Sequence, residues 1–367
     1  MMPAGGPDGP KHPILPRPVP NARFWLDCAE SPFQSPPLRS RPMPTALMGR
    51  PMAESWLKQI QLDRLRAAGW RVVVSEAEPP LTEGDLLSEI GGVEYLFANG
   101  RDDVSAKVIA AAPKLKGIFR TGVGVDMVDL KAAAARGIPV CNTPGSNSET
   151  VADMALAMML MLLRRVPELD ADMRSGSWLP KFANNLHGKT IGIFGLGRIG
   201  RAVARRARAF QMPILGFDPY VTQESVADEG IRVVGTADEL FANADVVTLH
   251  APATGGTREI VNTHTLSLMR SSAIVINAAR GDLVDETALL AALREGRIAG
   301  AGLDVFKNEP AFDNAFGELP NVVLTPHVAG NTVETTASTA HACVDNALAV
   351  ESGRWPREVV ANGVYSD

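Results

Sequence analysis

The sequence predicts an α/β protein made of two doubly wound parallel sheets, one small and one larger. Three observations predict it. Short apolar runs alternate with helix-like stretches from Thr45 onward. A glycine-rich turn, Gly195-Leu196-Gly197-Arg198-Ile199-Gly200, joins an apolar run to a helical one. Finally, 367 residues are more than a single compact core comfortably holds.

In the first unit the candidate strands are Ala46–Met48, Arg71–Val74, Tyr95–Ala98, Gly117–Arg120 and Pro139–Cys141. Helical stretches fall between them at Ser55–Ala68, Leu81–Ile90 and Ser105–Ala111. Strands this short and this apolar belong in a parallel sheet covered on both faces. The second unit offers Ile191–Phe194, Ile214–Phe217, Arg232–Val233, Val246–Leu249, Ala273–Asn277, Ala301–Val305 and Val322–Leu324. A terminal helix from about Val333 to Ser352 is expected to return to the first unit. The domain reading is therefore 44–145 plus 328–358 for the smaller unit and 146–327 for the larger. Residues 1–43, with about a dozen of the 27 prolines and no hydrophobic period, read as a disordered extension. Met43, directly before the first strand, is a candidate start of translation.

The glycine turn carries chemistry because of its surroundings. The run Thr190-Ile-Gly-Ile-Phe194 precedes it, Arg198 to Phe210 can run as a helix, and the next apolar run ends in Asp218. This strand–turn–helix–strand–acid order is the layout of a dinucleotide site. Gly195 permits the tight turn, Gly197 lets amides approach a pyrophosphate, and Gly200 lets helix and strand pack closely. Asp218 accepts hydrogen bonds from a ribose diol and repels a 2′-phosphate, which selects NAD over NADP.

Composition narrows the partners. A net charge of −5 gives no global attraction to nucleic acid or anionic lipid. The most apolar run, Met154–Leu163, is about half of what a bilayer needs and reads as a helix in a core or subunit interface. Cys28, Cys141 and Cys343 lie far apart, which suggests neither a disulfide framework nor a metal site and fits a cytoplasmic protein.

Three further groups follow strands of the second unit: Arg280 in Ile276-Asn-Ala-Ala-Arg280, Glu309 in Leu303-Asp-Val-Phe-Lys-Asn-Glu309, and His327 in Leu324-Thr-Pro-His327. Ligands of open α/β sheets bind at that edge. Hydride transfer to or from a hydroxy acid needs a proton donor or acceptor, which histidine provides near neutral pH with a carboxylate to support its cation. Arginine offers a planar fork for a carboxylate. The stripe Arg201, Arg205 and Arg208 reads as a solvated helix face, His250 as shaping a strand end, and Asp126 as fixing local hydrogen bonds.

With these segments in this order, and with Arg120-Thr-Gly-Val-Gly-Val-Asp126, Asn142-Thr-Pro-Gly-Ser-Asn-Ser148 and His250-Ala-Pro252, the chain resembles the D-2-hydroxyacid dehydrogenase family from about residue 45 to 353. The resemblance implies a Rossmann NAD-binding domain and a smaller flavodoxin-like substrate (lid) domain. It implies that Arg280, Glu309 and His327 are catalytic and that Val123 and Gly124 hold the substrate carboxylate. It also implies cofactor contacts from Gly195, Gly197, Arg198, Ile199, Gly200, Asp218, Ala251, Ala278, Asp304 and Gly330. The expected activity is hydride exchange between NAD and a small 2-oxo or 2-hydroxy acid, in a homodimer joined through the cofactor domain. Phosphoglycerate dehydrogenases of the family commonly carry an Arg-Ser pair after the third lid strand. Here Asn99-Gly100-Arg101 displaces the arginine, so glyoxylate or hydroxypyruvate is at least as well supported as a phosphorylated acid. Phosphoglycerate dehydrogenase and an NAD(H)-sensing binding protein of the same fold stay open as alternatives. No regulatory domain is expected after the returning helix.

Overall fold

The computed structural model describes residues 43–49, 55–310, 314–354 and 359–365. The proline-rich stretch anticipated for 1–43 lies outside them, apart from Met43.

A five-stranded sheet comprises β1 (Thr45–Met48), β2 (Arg71–Val74), β3 (Tyr95–Ala98), β4 (Gly117–Arg120) and β5 (Val140–Cys141) in the order β2-β1-β3-β4-β5. A seven-stranded sheet comprises β6 (Ile191–Phe194), β7 (Ile214–Phe217), β8 (Ile231–Val233), β9 (Val246–Leu249), β10 (Ile274–Asn277), β11 (Gly300–Leu303) and β12 (Val322–Leu324) in the order β12-β11-β10-β9-β6-β7-β8. Every pairing in both sheets is parallel. These are the flavodoxin-like and Rossmann strand orders, and in the larger sheet the order reverses between β6 and β9, where ligands of such folds bind.

Both faces of each sheet are covered, which is why β3, β4, β6, β9 and β10 are buried along their whole length. The chain passes from the smaller to the larger sheet after β5 and returns after β12. The returning helix Val333–Glu351 packs on helix Ser55–Ala67 and on β4. Its Cys343, Val344, Ala347 and Val350 join Met48, Tyr95, Phe97 and Phe119 in one buried cluster. Val360 then pairs antiparallel with Cys141. Burial pushes both the Cys141 and Cys343 thiols up to about 12, so neither is a thiolate at neutral pH.

Several boundaries differ from the sequence expectation for local reasons. The helix expected from Leu81 starts at Glu83, because Thr82 and Asp85 form a capping box, and it tightens into a 3₁₀ turn at Ile90–Gly92. Ser105 is a cap rather than a helical residue. The strand expected to reach Val305 ends at Leu303, since Asp304 turns away to bind the His327 segment. Of the arginines read as a solvated face, Arg205 and Arg208 are exposed and Arg201 is half-buried. They also find partners: Arg201 meets Glu229, Arg205 meets Glu149, and Arg208 donates to the Asp228 carbonyl at 3.3 Å.

Helix Ser148–Leu163 packs along helix Arg198–Ala209 and under β10 and β11. It buries Ala152, Ala155, Leu156, Met158 and Met159 but leaves Met161 exposed. A second helix, Val166–Arg174, follows and was not anticipated; Pro167 suits its first turn. Beyond it Trp178 is 81% exposed and Phe182 100% exposed. Among the described residues no helix is long and apolar enough to cross a membrane.

Candidate active site

The glycine turn closes β6 onto helix Arg198–Ala209. Gly195 has φ +96, and a Cβ there would lie 2.7–2.8 Å from the backbone of His250 and Ala251. Ala251 thus sits directly beside the turn. A Cβ on Gly200 would lie 2.0 Å from the Gly195 carbonyl oxygen, so the helix can approach only as glycine. Gly197, by contrast, faces open space and caps the helix without a side-chain bond, leaving the first amides unspent. Asp218 closes the turn from β7: its Oδ2 accepts from Leu196 N at 2.9 Å and its Oδ1 from Tyr220 N at 2.9 Å. An open helix N-terminus with an acid at the end of the neighbouring strand fits a dinucleotide. Arg198 lies against Gly145 on the segment linking the sheets, 3.2 Å from a Cβ placed there. Ile199, Ala278, Ala329 and Val151 form a small apolar cluster between the turn and that crossing. Gly330, next in the chain, faces Asn147.

His250 stands behind the turn with its Nε2 2.9 Å from Thr248 Oγ1. Burial pushes its pKa down to about 3, so it stays neutral and shapes the strand end.

Adjacent strands β10, β11 and β12 supply Arg280, Glu309 and His327 from loops at the same carboxyl edge. Glu309 and His327 touch: Oε2 lies 2.6 Å from Nδ1, while Oε1 accepts from Phe306 N at 2.9 Å. Burial raises the Glu309 pKa, but the bonds from His327 and Phe306 and the charges of His327 and Arg101 outweigh it. The net shift is downward and the group stays ionised near neutrality. His327 has φ +56, an uncommon backbone for a side chain of this size. Asp304, 1% exposed, enforces it. Its carbonyl accepts from His327 N at 2.7 Å, and its carboxylate accepts from Val328 N and Ala329 N, both at 2.9 Å, and from the Thr325 hydroxyl. Sequence reasoning assigned Asp304 to the cofactor and missed this structural work.

Arg280 does not touch that pair. Asn277, fully buried, shapes its loop by donating to the Arg280 carbonyl at 2.9 Å and accepting from Ala279 N at 3.1 Å. The guanidinium reaches instead to the smaller sheet, where its Nε donates to Asp126 Oδ2 at 3.0 Å. Asp126 was expected to serve only local bonds; it bridges the two sheets, which its spacing in the chain could not reveal. Val123 and Gly124 occupy the same loop after β4, and among the described residues their amides have no partner in the chain. Asn142 Nδ2 donates to the Val123 carbonyl at 2.7 Å, and Arg120, 2% exposed, donates from Nε to the Gly124 carbonyl at 3.1 Å. Arg101, displaced along the chain from the family's usual Arg-Ser position, has its Nε 3.6 Å from Glu309 Oε2. Chemically, the assembled groups offer an anion receptor from one sheet and an acid-supported imidazole from the other.

The comparisons agree with this fold. The family profile for the NAD binding domain of D-isomer specific 2-hydroxyacid dehydrogenases matches residues 156–329. The D-3-phosphoglycerate dehydrogenase of Methanocaldococcus jannaschii is 40% identical over 287 residues, covering 78% of this chain and 55% of that protein. The chain thus spans about half the length of such curated relatives. The NADPH-dependent glyoxylate/hydroxypyruvate reductase of Sinorhizobium meliloti, solved with NADP and malonate, superposes with TM-score 0.77 at 34% identity, covering 89% of this chain and 99% of that one. The D-lactate dehydrogenase of Aquifex aeolicus, solved with NAD and lactic acid, gives TM-score 0.76 at 26% identity over 87% and 99%. Motifs, strand orders and likeness to a relative matched almost end to end lead to one statement: the chain belongs to the D-isomer-specific 2-hydroxyacid dehydrogenase family.

Proposed function

We propose that this protein exchanges a hydride between NAD and the C2 atom of a small D-2-hydroxy acid or 2-oxo acid, with His327 as acid and base. The observation that carries it is the Glu309–His327 hydrogen bond at the carboxyl edge of the larger sheet. When bound, the nicotinamide supplies or accepts the hydride. Glu309 holds Nδ1 of His327, so Nε2 is the nitrogen left for the substrate oxygen, giving a proton in reduction and taking one in oxidation. Arg280 and the amides of Val123 and Gly124 hold the substrate carboxylate, and Arg280 polarises the reacting carbonyl. Gly195, Gly197, Arg198, Ile199 and Gly200 hold the pyrophosphate and Asp218 the adenosine ribose. Ala251, Ala278 and Asp304 line the nicotinamide half, and Gly330 adds a further cofactor contact. Residues 44–145 with 328–358 act as the substrate-binding unit and 146–327 as the cofactor unit.

Within this class 3-phosphoglycerate is the favoured substrate. The curated relatives at about 40% identity are D-3-phosphoglycerate dehydrogenases, and Arg101 brings a second positive group beside Glu309. A homodimer is supported by the exposed Met161 on the apolar helix and by the exposed Trp178, Leu179 and Phe182 on the segment after helix Val166–Arg174. The test is NADH consumption with glyoxylate, hydroxypyruvate and phosphohydroxypyruvate. A kcat/KM for phosphohydroxypyruvate below that for the unphosphorylated acids would remove the phosphoglycerate reading. Tight NADH binding without turnover of any acid would favour a sensor.

Two variants probe the assignments. Asp218→Ala is expected to cut the preference for NADH over NADPH by about tenfold. A wild-type enzyme already faster with NADPH would overturn the choice of NAD; the Sinorhizobium relative is NADPH-dependent by name. Glu309→Gln removes the charge that supports the ring of His327 through its Nδ1. Proton transfer to the substrate oxygen should slow, lowering kcat/KM by about 10²-fold with NADH affinity unchanged. A wild-type kcat/KM would deny Glu309 its role.

A further inference from the structure

The guanidinium of Arg280 has five N–H groups, and among the described residues the chain accounts for three. Nη1 donates to the Ala279 carbonyl at 2.7 Å, while Nε and Nη2 each lie 3.0 Å from Asp126 Oδ2. One N–H on each terminal nitrogen, the outer edge of the fork, remains uncommitted. The guanidinium also comes close to Gly124: a Cβ there would be 2.6 Å from Nη2 and 3.0 Å from Asp126 Oδ2. Asp126 follows Gly124 by two residues, so the loop that presents free amides also grips the arginine arriving from the other sheet. That loop is firmly seated from behind, because buried Arg120 ties the Gly124 carbonyl to the Gly100 carbonyl through Nε at 3.1 Å and Nη2 at 2.9 Å.

We propose that Asp126 is a positioning residue that fixes Arg280 by its inner edge, so that the outer edge and the Val123–Gly124 amides face one carboxylate together. The inference rests on the function proposed above for Arg280. Half of the Asp126 side chain is exposed, and such a pair adds little to stability. Its effect therefore lies in alignment, where a displacement of about 1 Å can cost about 10²-fold in rate.

The experiment is a double-mutant cycle on the full chain with Asp126→Ala, Arg280→Ala and both together, plus Asp126→Asn. Three quantities are read: kcat, KM, and the affinity of oxalate for the NADH-loaded protein. Asp126→Ala should lower kcat/KM by about 10²-fold and weaken oxalate binding, with NADH affinity unchanged. In the Arg280→Ala background it should add less than about threefold. Asp126→Asn, which keeps an acceptor for the guanidinium, should recover part of the loss. Equal losses in both backgrounds would overturn the proposal, as would a wild-type kcat/KM in Asp126→Ala. A lower KM at unchanged kcat would overturn it too, since Asp126 would then compete with the substrate carboxylate. Oxalate is read without turnover, so a protein that reduces no 2-oxo acid would refute the proposed function while the alignment of Arg280 is still decided.

Discussion

His327→Asn should reduce turnover of 2-oxo acids by about 10²–10⁴-fold and leave NADH affinity within about twofold. Asparagine is the informative replacement because it tolerates the left-handed backbone that His327 adopts at φ +56. The bonds from His327 N, Val328 N and Ala329 N to Asp304 therefore survive. What is lost is a ring that can carry a proton while Glu309 holds its other nitrogen. Steady-state kinetics beside a fluorescence titration with NADH separates the two effects. Retention of more than about a tenth of the wild-type rate would remove His327 from the proton path.

Gly281→Ala is expected to damage both stability and rate. A Cβ at this position would lie 2.0 Å from the Phe306 carbonyl carbon, 2.2 Å from its oxygen and 2.4 Å from Lys307 N. All three are backbone atoms, so no side chain can swing aside. The loop bearing Arg280 and the loop bearing Glu309 must part. Overpacking of this kind costs about 1–3 kcal/mol or more. The shift of both groups should lower kcat/KM by a further 10²-fold or so at temperatures where the variant remains folded. Gly256→Ala, which meets nothing within 4 Å, serves as the control. An unchanged melting temperature and rate in Gly281→Ala would mean the loops are far more pliable than their contact implies.

Much of this architecture was legible because it is local. Ile191–Phe194, Ile214–Phe217, Val246–Leu249 and Val322–Leu324 are apolar runs bounded by turn residues, and their edges fall where the sequence put them. The glycine turn and Asp218 were readable for the same reason: each sits at a fixed offset from a strand end. Arg101 and Asp126 were not readable in this way. Each acts across the gap between sheets, and no periodicity encodes how far a side chain reaches. Asp304 was visible as a residue near the site, but only the fold reveals that it spends its carboxylate on the His327 turn. The Met154–Leu163 run announced burial without naming what buries it, and the chain itself covers only part of that helix.

The return of helix Val333–Glu351 to the smaller sheet has a consequence for biosynthesis. Tyr95, Phe97, Phe119 and Cys141 leave the ribosome about 200–250 residues before Cys343, Val344 and Ala347, which complete their packing. At about 5–20 residues per second the nascent chain carries an incompletely sheltered aromatic surface for about 10–50 seconds. Slow translation through the cofactor-binding half lengthens that window, so yield should respond to codon choice and to chaperone supply more sharply than the stability of the finished protein would suggest.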